Sequence, residues 1–226
     1  MDLVSIVIPV YNEEAAIGDD LELIRRTMDA TGQPYEIIVV NDGSTDRTVE
    51  IVSSKPDVKL IHHEQNRGTG AARTTGIRAA RGGIIIMTDG DGTYPNQDMP
   101  KLLEHMEQCD MVIGARSQEQ GTWKWLRAPA KWFIARLAAY LTGMKIPDLN
   151  SGFRAFKRDI ALQYLNVLPT THSWVSTITI AFLSDGYAVK YMPIDYYKRK
   201  GKSKFHPLKD TYNYICLLYT SDAADE

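Results

Sequence analysis

Short apolar runs alternate with longer amphipathic stretches through the first half of the chain. The apolar runs are rich in Val and Ile and cover residues 4–10, 36–40, 58–62, 84–88 and 111–115. Continuous apolar runs of this length, bounded by polar turns, are typical of strands that are buried on both faces. The sequence therefore predicts five strands before residue 116, of which the first two are buried and the third is shorter.

Amphipathic segments between these runs predict helices. Residues 14–31 carry apolar side chains three or four positions apart, and Gly32 with Pro34 ends the segment. Side-chain oxygens of the Ser, Thr and Asp at the end of the loop 41–46 can cap a second helix. The other predicted helices cover residues 71–80 and about 100–108.

This alternation of strands and helices predicts an α/β fold of the Rossmann-like kind, a mostly parallel sheet with helices on both faces. Ligands of such sheets bind at the carboxyl ends of the strands. Three of these ends are polar, and they carry Tyr11-Asn12-Glu13, Asn41-Asp42 and Asp89-Gly90-Asp91. We therefore expect a binding site where these three loops meet.

The second half of the chain is less regular. Helices are predicted at residues 129–141 and 174–185, a strand with a turn at 149–156, and a late strand at 189–193. Residues 196–204 follow, and their basic side chains around a central glycine predict a loop.

Length and charge narrow the picture. At 226 residues the chain can form one sizeable α/β domain. Residues 1–115 hold 10 Lys and Arg against 19 Asp and Glu, whereas residues 116–226 hold 16 against 9, so an anionic partner is expected in the second half. The two cysteines fit no metal-ligand spacing and no disulfide framework, so a reducing, cytoplasmic setting is expected. The first residues show no signal-peptide pattern, no apolar run is long enough to cross a bilayer, and no nucleic-acid partner is expected.

The Asp89-Gly90-Asp91 triplet is the main candidate for chemistry. Two carboxylates one residue apart can face one cation if the backbone turns between them, and Gly90 permits such a turn while Gly92 relaxes the next step. Mg²⁺ or Mn²⁺ held by one or two carboxylates and by substrate phosphates is the usual arrangement. An isolated triplet of this kind is more often a surface turn, but this one follows a buried strand.

Asp42 has two interpretations. At the end of the second strand its carboxylate can accept from a base or ribose, as acidic residues do in dinucleotide folds. It can equally form an Asx turn that caps the next helix. The chain has no P-loop, and Gly68-Thr69-Gly70 lacks the third glycine of a dinucleotide fingerprint, which disfavours nucleotide hydrolysis of that type and hydride transfer.

Several motifs follow one another along the chain: Ile8-Pro9-Val10-Tyr11-Asn12-Glu13-Glu14, Asn41-Asp42-Gly43-Ser44-Thr45-Asp46, Asn66-Arg67-Gly68 with Ala72-Arg73 and Gly76, Asp89-Gly90-Asp91, Gly114-Ala115-Arg116, Ser151-Gly152-Phe153-Arg154-Ala155-Phe156, and Arg199-Lys200-Gly201-Lys202-Ser203-Lys204. In order and spacing they resemble family 2 glycosyltransferases of the GT-A fold, in particular the branch that glycosylates polyprenyl phosphates, the dolichol-phosphate mannose synthase type. The resemblance covers roughly residues 4–215.

The resemblance implies a single domain, residues 1–215, with a nucleotide-sugar half at 1–115 and an acceptor half at 116–215. The implied donor is a UDP- or GDP-hexose, and the implied acceptor is a lipid-linked phosphate. The implied donor-binding residues are Pro9, Tyr11, Glu13, Asp42, Arg73, Asp89, Arg199, Ser203 and Lys204; the implied metal ligands are Asp89 and Asp91; and the implied catalytic residues are Asp91, Arg116 and Arg127, the two arginines binding the acceptor phosphate.

The chain also departs from that branch. Thr93 stands where the mannose synthases have a glutamine, which leaves a third metal ligand open, and Lys131 lies near an expected serine. Residues 216–226 continue no family pattern, and we expect them to be a non-native tail. Related proteins often continue from this point into membrane segments, and the resemblance allows the same for the natural chain.

The acceptor can also be argued from the residues themselves. A sugar hydroxyl needs a general base to become a nucleophile, yet no Asp or Glu occurs between Asp159 and Asp185. A phosphate monoester is already anionic at neutral pH and needs positive charge, which residues 116–158 supply with nine Lys and Arg against two Asp and Glu. A transferase that acts on a glycan or protein hydroxyl, and a nucleotide-sugar-binding module without catalysis, remain the alternatives.

Aromatic and basic residues interleave between Trp123 and Arg136. This composition favours a helix that lies at a membrane surface, with core packing as the alternative. Since a lipid-linked acceptor must be met at the bilayer, we expect the enzyme at the cytoplasmic face of a membrane.

Overall fold

A computed structural model of the chain describes residues 2–116, 146–171 and 173–201. The strands are β1 (Val4–Val10), β2 (Tyr35–Asn41), β3 (Val58–His62), β4 (Ile84–Met87), β5 (Met111–Arg116), β6 (Arg154–Lys157) and β7 (Val189–Ile194). The helices are α1 (Ile17–Asp29), α2 (Thr48–Ser53), α3 (Thr69–Ala79), α4 (Met99–His105), α5 (Arg158–Tyr164) and α6 (Trp174–Ser184), with a 3-10 turn at Asn96–Asp98.

The strands form one seven-stranded sheet in the order β3-β2-β1-β4-β6-β5-β7. Strands β1 to β4 are mutually parallel where they pair, and β7 is parallel to β5. Strand β6 is inserted between β4 and β5 and runs antiparallel to both. The predicted mostly parallel sheet is therefore confirmed, with one antiparallel strand.

Hydrophobic cores cover both faces of the sheet, as the apolar runs predict. Every residue of β1 is buried, because alternate side chains enter opposite cores. Helices α1, α2 and α4 contribute to one core, and α3, α5 and α6 contribute to the other. This three-layer arrangement leaves the ends of the strands as the open edges where side chains can meet a ligand.

The five strands of the first half begin and end within one residue of their predicted bounds. In the second half, β6 begins at Arg154 and not near residue 149, and α5 was not predicted. The predicted helix at 129–141 and the aromatic and basic stretch lie outside the described residues, as does the chain beyond residue 201. None of the helices in the described ranges has the length and apolar character that a bilayer crossing requires.

Candidate active site

The three polar strand ends lie at the same edge of the sheet. Val10 of β1 is in register with Asn41 of β2, and Val7 is in register with Met87 of β4. The loops that follow these strands are therefore neighbours, which confirms the expectation that they meet. A fourth segment joins them, because the chain after β7 returns to this edge through Tyr197, whose N–H donates to the carbonyl of Thr93 at 2.9 Å.

Asp91 is the more enclosed of the two carboxylates in the Asp89-Gly90-Asp91 triplet, with a residue exposure of 8%. Its Oδ1 accepts from the N–H of Thr93 at 3.2 Å and from the Thr93 hydroxyl at 2.6 Å. Burial, and then the nearby charge of Asp89, raise the pKa of Asp91. An ionised Asp91 is thus held in a costly environment, which a bound cation would relieve.

Asp89 is the more open carboxylate, with 29% of its side chain exposed. Arg73 of α3 donates to Asp89 Oδ1 through Nη2 at 2.9 Å. Arg73 is itself 4% exposed, and its guanidinium carbon lies 6.0 Å from the centre of the Trp174 ring. The buried Arg73 therefore holds the Asp89 carboxylate in place from the α3 side.

The two glycines of the Asp89–Gly92 turn serve different purposes. Gly92 has φ +74°, a left-handed conformation that other residues rarely adopt. The chain also bends at Gly90, as expected, but there without a positive φ. A Cβ on Gly90 would lie 2.9 Å from Ile17 Cδ1, and the absence of that atom lets α1 pack against the turn.

Asp20 of α1 supports the same turn, although sequence reasoning did not identify it. Its Oδ2 accepts from the N–H of Gly92 at 2.9 Å, and its Oδ1 accepts from Asn96 Nδ2 at 3.1 Å. Asn96 in turn accepts from the Thr88 hydroxyl at 2.8 Å. The sequence did contain one indication of this role: Asp20 is a carboxylate on the apolar face of α1. In the structure it is 5% exposed.

Burial raises the pKa of Asp20 from 3.8 to about 7. The N–H of Gly92 opposes this shift, and the negative charge of Asp91 adds to it. The folded chain therefore binds this proton more tightly than the unfolded chain, so the free energy of unfolding should fall as pH rises across this interval. Asp20→Asn removes the titration. In metal-free buffer the variant should match the wild type near pH 4 and exceed it by up to about 4 kcal/mol at pH 8, measured by urea unfolding.

Asp19→Asn is the matched control for that measurement, because Asp19 directly precedes Asp20 and 77% of its side chain is exposed. Its difference from the wild type should stay within about 0.5 kcal/mol at every pH. A pH-independent difference for Asp20→Asn would contradict the buried-carboxylate account.

The donor atoms of this cluster suit a hard divalent ion. Two neighbouring carboxylates, one of them with a raised pKa, provide oxygen ligands and a local excess of negative charge. Among the described residues no three His, Cys, Asp or Glu side chains come together as a complete metal site. Thr93 donates its hydroxyl to Asp91, which orients that carboxylate. The residues therefore fit Mg²⁺ or Mn²⁺, with most of the ion's coordination positions left for ligands from outside the described residues.

The residues expected to contact the nucleotide lie along the ends of β1 and β2. Pro9 is buried within β1 in register with Val40, while Tyr11 is partly exposed beyond the end of the strand. Glu13 is 8% exposed, and its Oε1 accepts from Arg199 Nη2. Arg199 Nη1 also lies 3.5 Å from Asp91 Oδ2. The segment after β7 therefore places a positively charged guanidinium beside the Glu13 and Asp91 carboxylates.

The Asp42 carboxylate binds the loop that precedes α3. Its Oδ1 accepts from His63 Nδ1 at 2.7 Å and from the N–H of Arg67 at 2.9 Å, and its Oδ2 accepts from the N–H of Gly68 at 2.9 Å. The alternative that Asp42 caps α2 was wrong, because Asp46 Oδ1 accepts from the N–H at the first residue of α2 at 3.0 Å.

Arg116, at the end of β5, is paired with a carboxylate that the sequence analysis did not single out. Its Nε and Nη2 donate to the two oxygens of Asp148 at 2.7 and 2.9 Å. Although burial opposes it, the hydrogen bonds from Arg116 lower the pKa of Asp148. The guanidinium carbon lies 5.2 Å from the Tyr196 ring centre, so Arg116 is held between β5 and the segment after β7. Arg127, Ser203 and Lys204 lie outside the described residues.

The floor of the site is the loop before β6. The N–H of Gly152 donates to the Tyr94 hydroxyl at 2.7 Å, and a Cβ on Gly152 would lie 3.0 Å from Asp89 Oδ2. Arg154 is fully buried and donates to the carbonyls of Ser151 and, at 3.0 Å, Val175. The Arg154 guanidinium thus ties the loop under Asp89 to helix α6.

Comparison with known proteins agrees with this geometry. Residues 5–165 match the protein family described as Glycosyl transferase family 2, and the matched segment includes all three strand ends of the site. The chain belongs to glycosyl transferase family 2. The resemblance argued from the motifs is thereby confirmed.

Two curated relatives of this family 2 chain act on lipid phosphates according to their names. The chain is 36% identical over 169 residues to an undecaprenyl-phosphate 4-deoxy-4-formamido-L-arabinose transferase from Pseudomonas aeruginosa, covering 71% of this chain and 48% of that protein. It is 32% identical over 209 residues to a dolichyl-phosphate hexose transferase from Haloferax volcanii, covering 91% and 88%. The chain thus spans about half the length of the bacterial transferase.

Solved structures share the fold at low identity. A mannosyl-3-phosphoglycerate synthase from Rubrobacter xylanophilus superposes with a TM-score of 0.75 and 14% identity, covering 98% of this chain and 74% of that one. A glucosyl-3-phosphoglycerate synthase from Mycobacterium tuberculosis, crystallised with Mg²⁺ and UDP, gives 0.71 and 21%, covering 93% and 74%. Both are GT-A glycosyltransferases, and this family 2 chain has the GT-A fold.

Proposed function

We propose that the chain transfers a hexose from a UDP- or GDP-hexose to a polyprenyl phosphate, with inversion at the anomeric carbon and with the help of a divalent metal. One observation carries this proposal: the buried Asp91 and its neighbour Asp89 lie at the strand ends between two arginines, Arg73 and Arg199. Carboxylates for a cation beside guanidinium groups for phosphate oxygens are what a nucleoside diphosphate requires.

On the donor side, Asp89 and Asp91 are the residues that would hold Mg²⁺ or Mn²⁺. Once bound, the ion supplies positive charge against the charge that develops on the departing diphosphate. Arg199 reaches the same place from the segment after β7 and would bind diphosphate oxygens, with Ser203 and Lys204 following in the chain. Pro9, Tyr11 and Asp42 would line the nucleoside, and Arg73 would keep Asp89 oriented.

On the acceptor side, a phosphate oxygen would form the new bond to the anomeric carbon. The bond from that carbon to the donor diphosphate breaks, and the nucleoside diphosphate leaves with the electron pair. Arg116, oriented by Asp148, would hold the acceptor phosphate together with Arg127. The segment between Asp159 and Asp185 provides no carboxylate to act as a base, and an anionic phosphate needs none.

The names of the two relatives support a lipid phosphate as the acceptor. We propose accordingly that residues 1–115 form the nucleotide-sugar half and 116–215 the acceptor half of one domain at the cytoplasmic face of a membrane. The basic composition of residues 116–158 supports this division, since both the acceptor and the membrane surface are anionic.

Release of nucleoside diphosphate tests the proposal. The chain is incubated with each of a panel of UDP- and GDP-hexoses, with Mg²⁺ or Mn²⁺, in the presence and absence of polyprenyl phosphate in detergent. Release from one donor that depends on both the lipid phosphate and the metal is expected. No release from any donor would sink the proposal, and binding without turnover would favour a non-catalytic module.

A further inference from the structure

Arg199 lies between two carboxylates that the sequence analysis gave separate roles. Its Nη2 contacts Glu13 Oε1, and its Nη1 lies 3.5 Å from Asp91 Oδ2. The Glu13 side chain is 9% exposed and that of Arg199 29%, so the pair is largely shielded from water. Glu13 was expected to line the nucleotide, and its Oε1 accepts from the arginine.

The backbone on each side of this contact is fixed independently. Lys200 donates its N–H to the carbonyl of Asp91 at 3.1 Å, which holds the Arg199 segment against the metal-binding turn. The N–H of Glu13 donates to the Thr48 hydroxyl at 2.8 Å, and its carbonyl accepts from Ala16 and Ile17 at the start of α1. Glu13 is therefore a stationary acceptor, and its carboxylate determines where the long Arg199 side chain points.

Charge also argues against direct contact between Glu13 and the donor diphosphate. A carboxylate beside a diphosphate repels it, and this one sits where the local dielectric screening is weak. A guanidinium held by one carboxylate keeps its remaining N–H groups in a fixed fork, because the group is planar. Holding Arg199 in place before the donor arrives reduces the ordering cost of binding.

We propose that Glu13 is a positioning residue that acts on the donor through Arg199, by holding the guanidinium beside Asp91 at the diphosphate site. The inference rests on the proposed function and adds to it how the diphosphate-binding arginine is oriented. It also implies that Arg199 and the metal ion would both be neighbours of the Asp91 carboxylate. The positive charge of the arginine would then oppose binding of the metal alone and favour binding of the diphosphate.

A double-mutant cycle tests this assignment. Glu13→Gln, Arg199→Gln and the double variant are titrated calorimetrically with UDP and with GDP in the presence of Mn²⁺, using the whole chain. Each single change should weaken binding of the nucleotide by about tenfold, and the double variant should bind no more weakly than Arg199→Gln. If Glu13 touches the nucleotide directly, the losses multiply to about a hundredfold.

Titration with Mn²⁺ alone gives a second readout that a merely structural role would not move. Arg199→Gln should bind Mn²⁺ about threefold more tightly than the wild type, because Asp91 loses a cationic neighbour. Glu14→Gln and Lys198→Gln are the controls, since Glu14 pairs with the exposed Arg47 and Lys198 is exposed. Both controls should bind nucleotide and Mn²⁺ as the wild type does.

The outcomes separate the two proposals. Multiplied losses in the cycle, or unchanged nucleotide affinity in Glu13→Gln, would overturn the role of Glu13 while leaving the transferase intact. A wild-type chain that binds neither UDP nor GDP with Mn²⁺ would overturn the proposed function, and this inference with it. Thermal melts of all variants establish that the chains compared are folded.

Discussion

Asp91→Asn is expected to reduce kcat/KM by about a thousandfold, the loss that follows removal of a principal electrostatic group from an active site. The fold should survive the change. The amide oxygen of Asn can still accept from the N–H and hydroxyl of Thr93, and the substitution removes a buried charge that Asp89 repels. Steady-state rates and thermal melts of the same preparation separate catalysis from stability.

Asp57→Asn is the matched control, because Asp57 pairs with Arg25, outside the site, and 45% of its side chain is exposed. Its kcat/KM should equal that of the wild type. Near-wild-type activity in Asp91→Asn would remove Asp91 from the metal site. A melting temperature that falls sharply in the same variant would mean that the carboxylate stabilises the fold and would leave its catalytic role without support.

Arg154→Ala is expected to lower the free energy of unfolding by about 4 kcal/mol, a large share of the total stability of a domain. The guanidinium is fully buried and donates to two main-chain carbonyls and to the Thr179 hydroxyl at 2.8 Å. Removing it leaves these acceptors without a donor and opens a cavity. Urea unfolding of both chains measures the difference.

The loss of Arg154 should also disturb the candidate active site, because its guanidinium donates to the Ser151 carbonyl in the loop that lies against Asp89. Arg26→Ala is the control, since Arg26 is exposed on α1 and should change stability by less than about 0.5 kcal/mol. An unchanged free energy of unfolding in Arg154→Ala would show that water or neighbouring groups donate to the carbonyls and the hydroxyl that lost the arginine. The buried arginine would then have no structural role at the floor of the site.

Much of the fold of residues 1–116 could be predicted because most of its strands are apolar runs. Strands β1, β2, β4 and β5 are mostly buried, so their apolar runs mark them, whereas the edge strand β3 is only partly covered and carries the polar Lys59 and His62. The position of β6 could not be predicted in this way. Its pairing with β4 and β5 depends on contacts between residues far apart in sequence, such as Ile84 with Lys157. Helix α5 has only seven residues, and its N-cap position holds Lys157, which is not one of the usual capping residues, so neither a helical repeat nor a capping signal marked it.

The candidate site also contains residues that the sequence could predict and residues that only the structure shows. Asp89 and Asp91 could be predicted because they follow a buried strand, where polar residues face ligands. Asp20 could not be assigned a role, since a carboxylate on an apolar helix face acquires meaning only when Gly92 is seen to donate to it. Asp148, one of two acids in the basic stretch 116–158, likewise needs the structure to show that it pairs with Arg116.

The identity and stereochemistry of the product test the central claim most directly. After incubation of the chain with its α-linked nucleotide hexose, Mn²⁺ and polyprenyl phosphate, the lipid product is analysed by mass spectrometry and by the proton coupling at the anomeric carbon. The account predicts one hexose joined to the phosphate oxygen in the β configuration. A retained α configuration would contradict the inverting mechanism, and a hexose found only on hydroxyl acceptors would contradict the assignment of the acceptor.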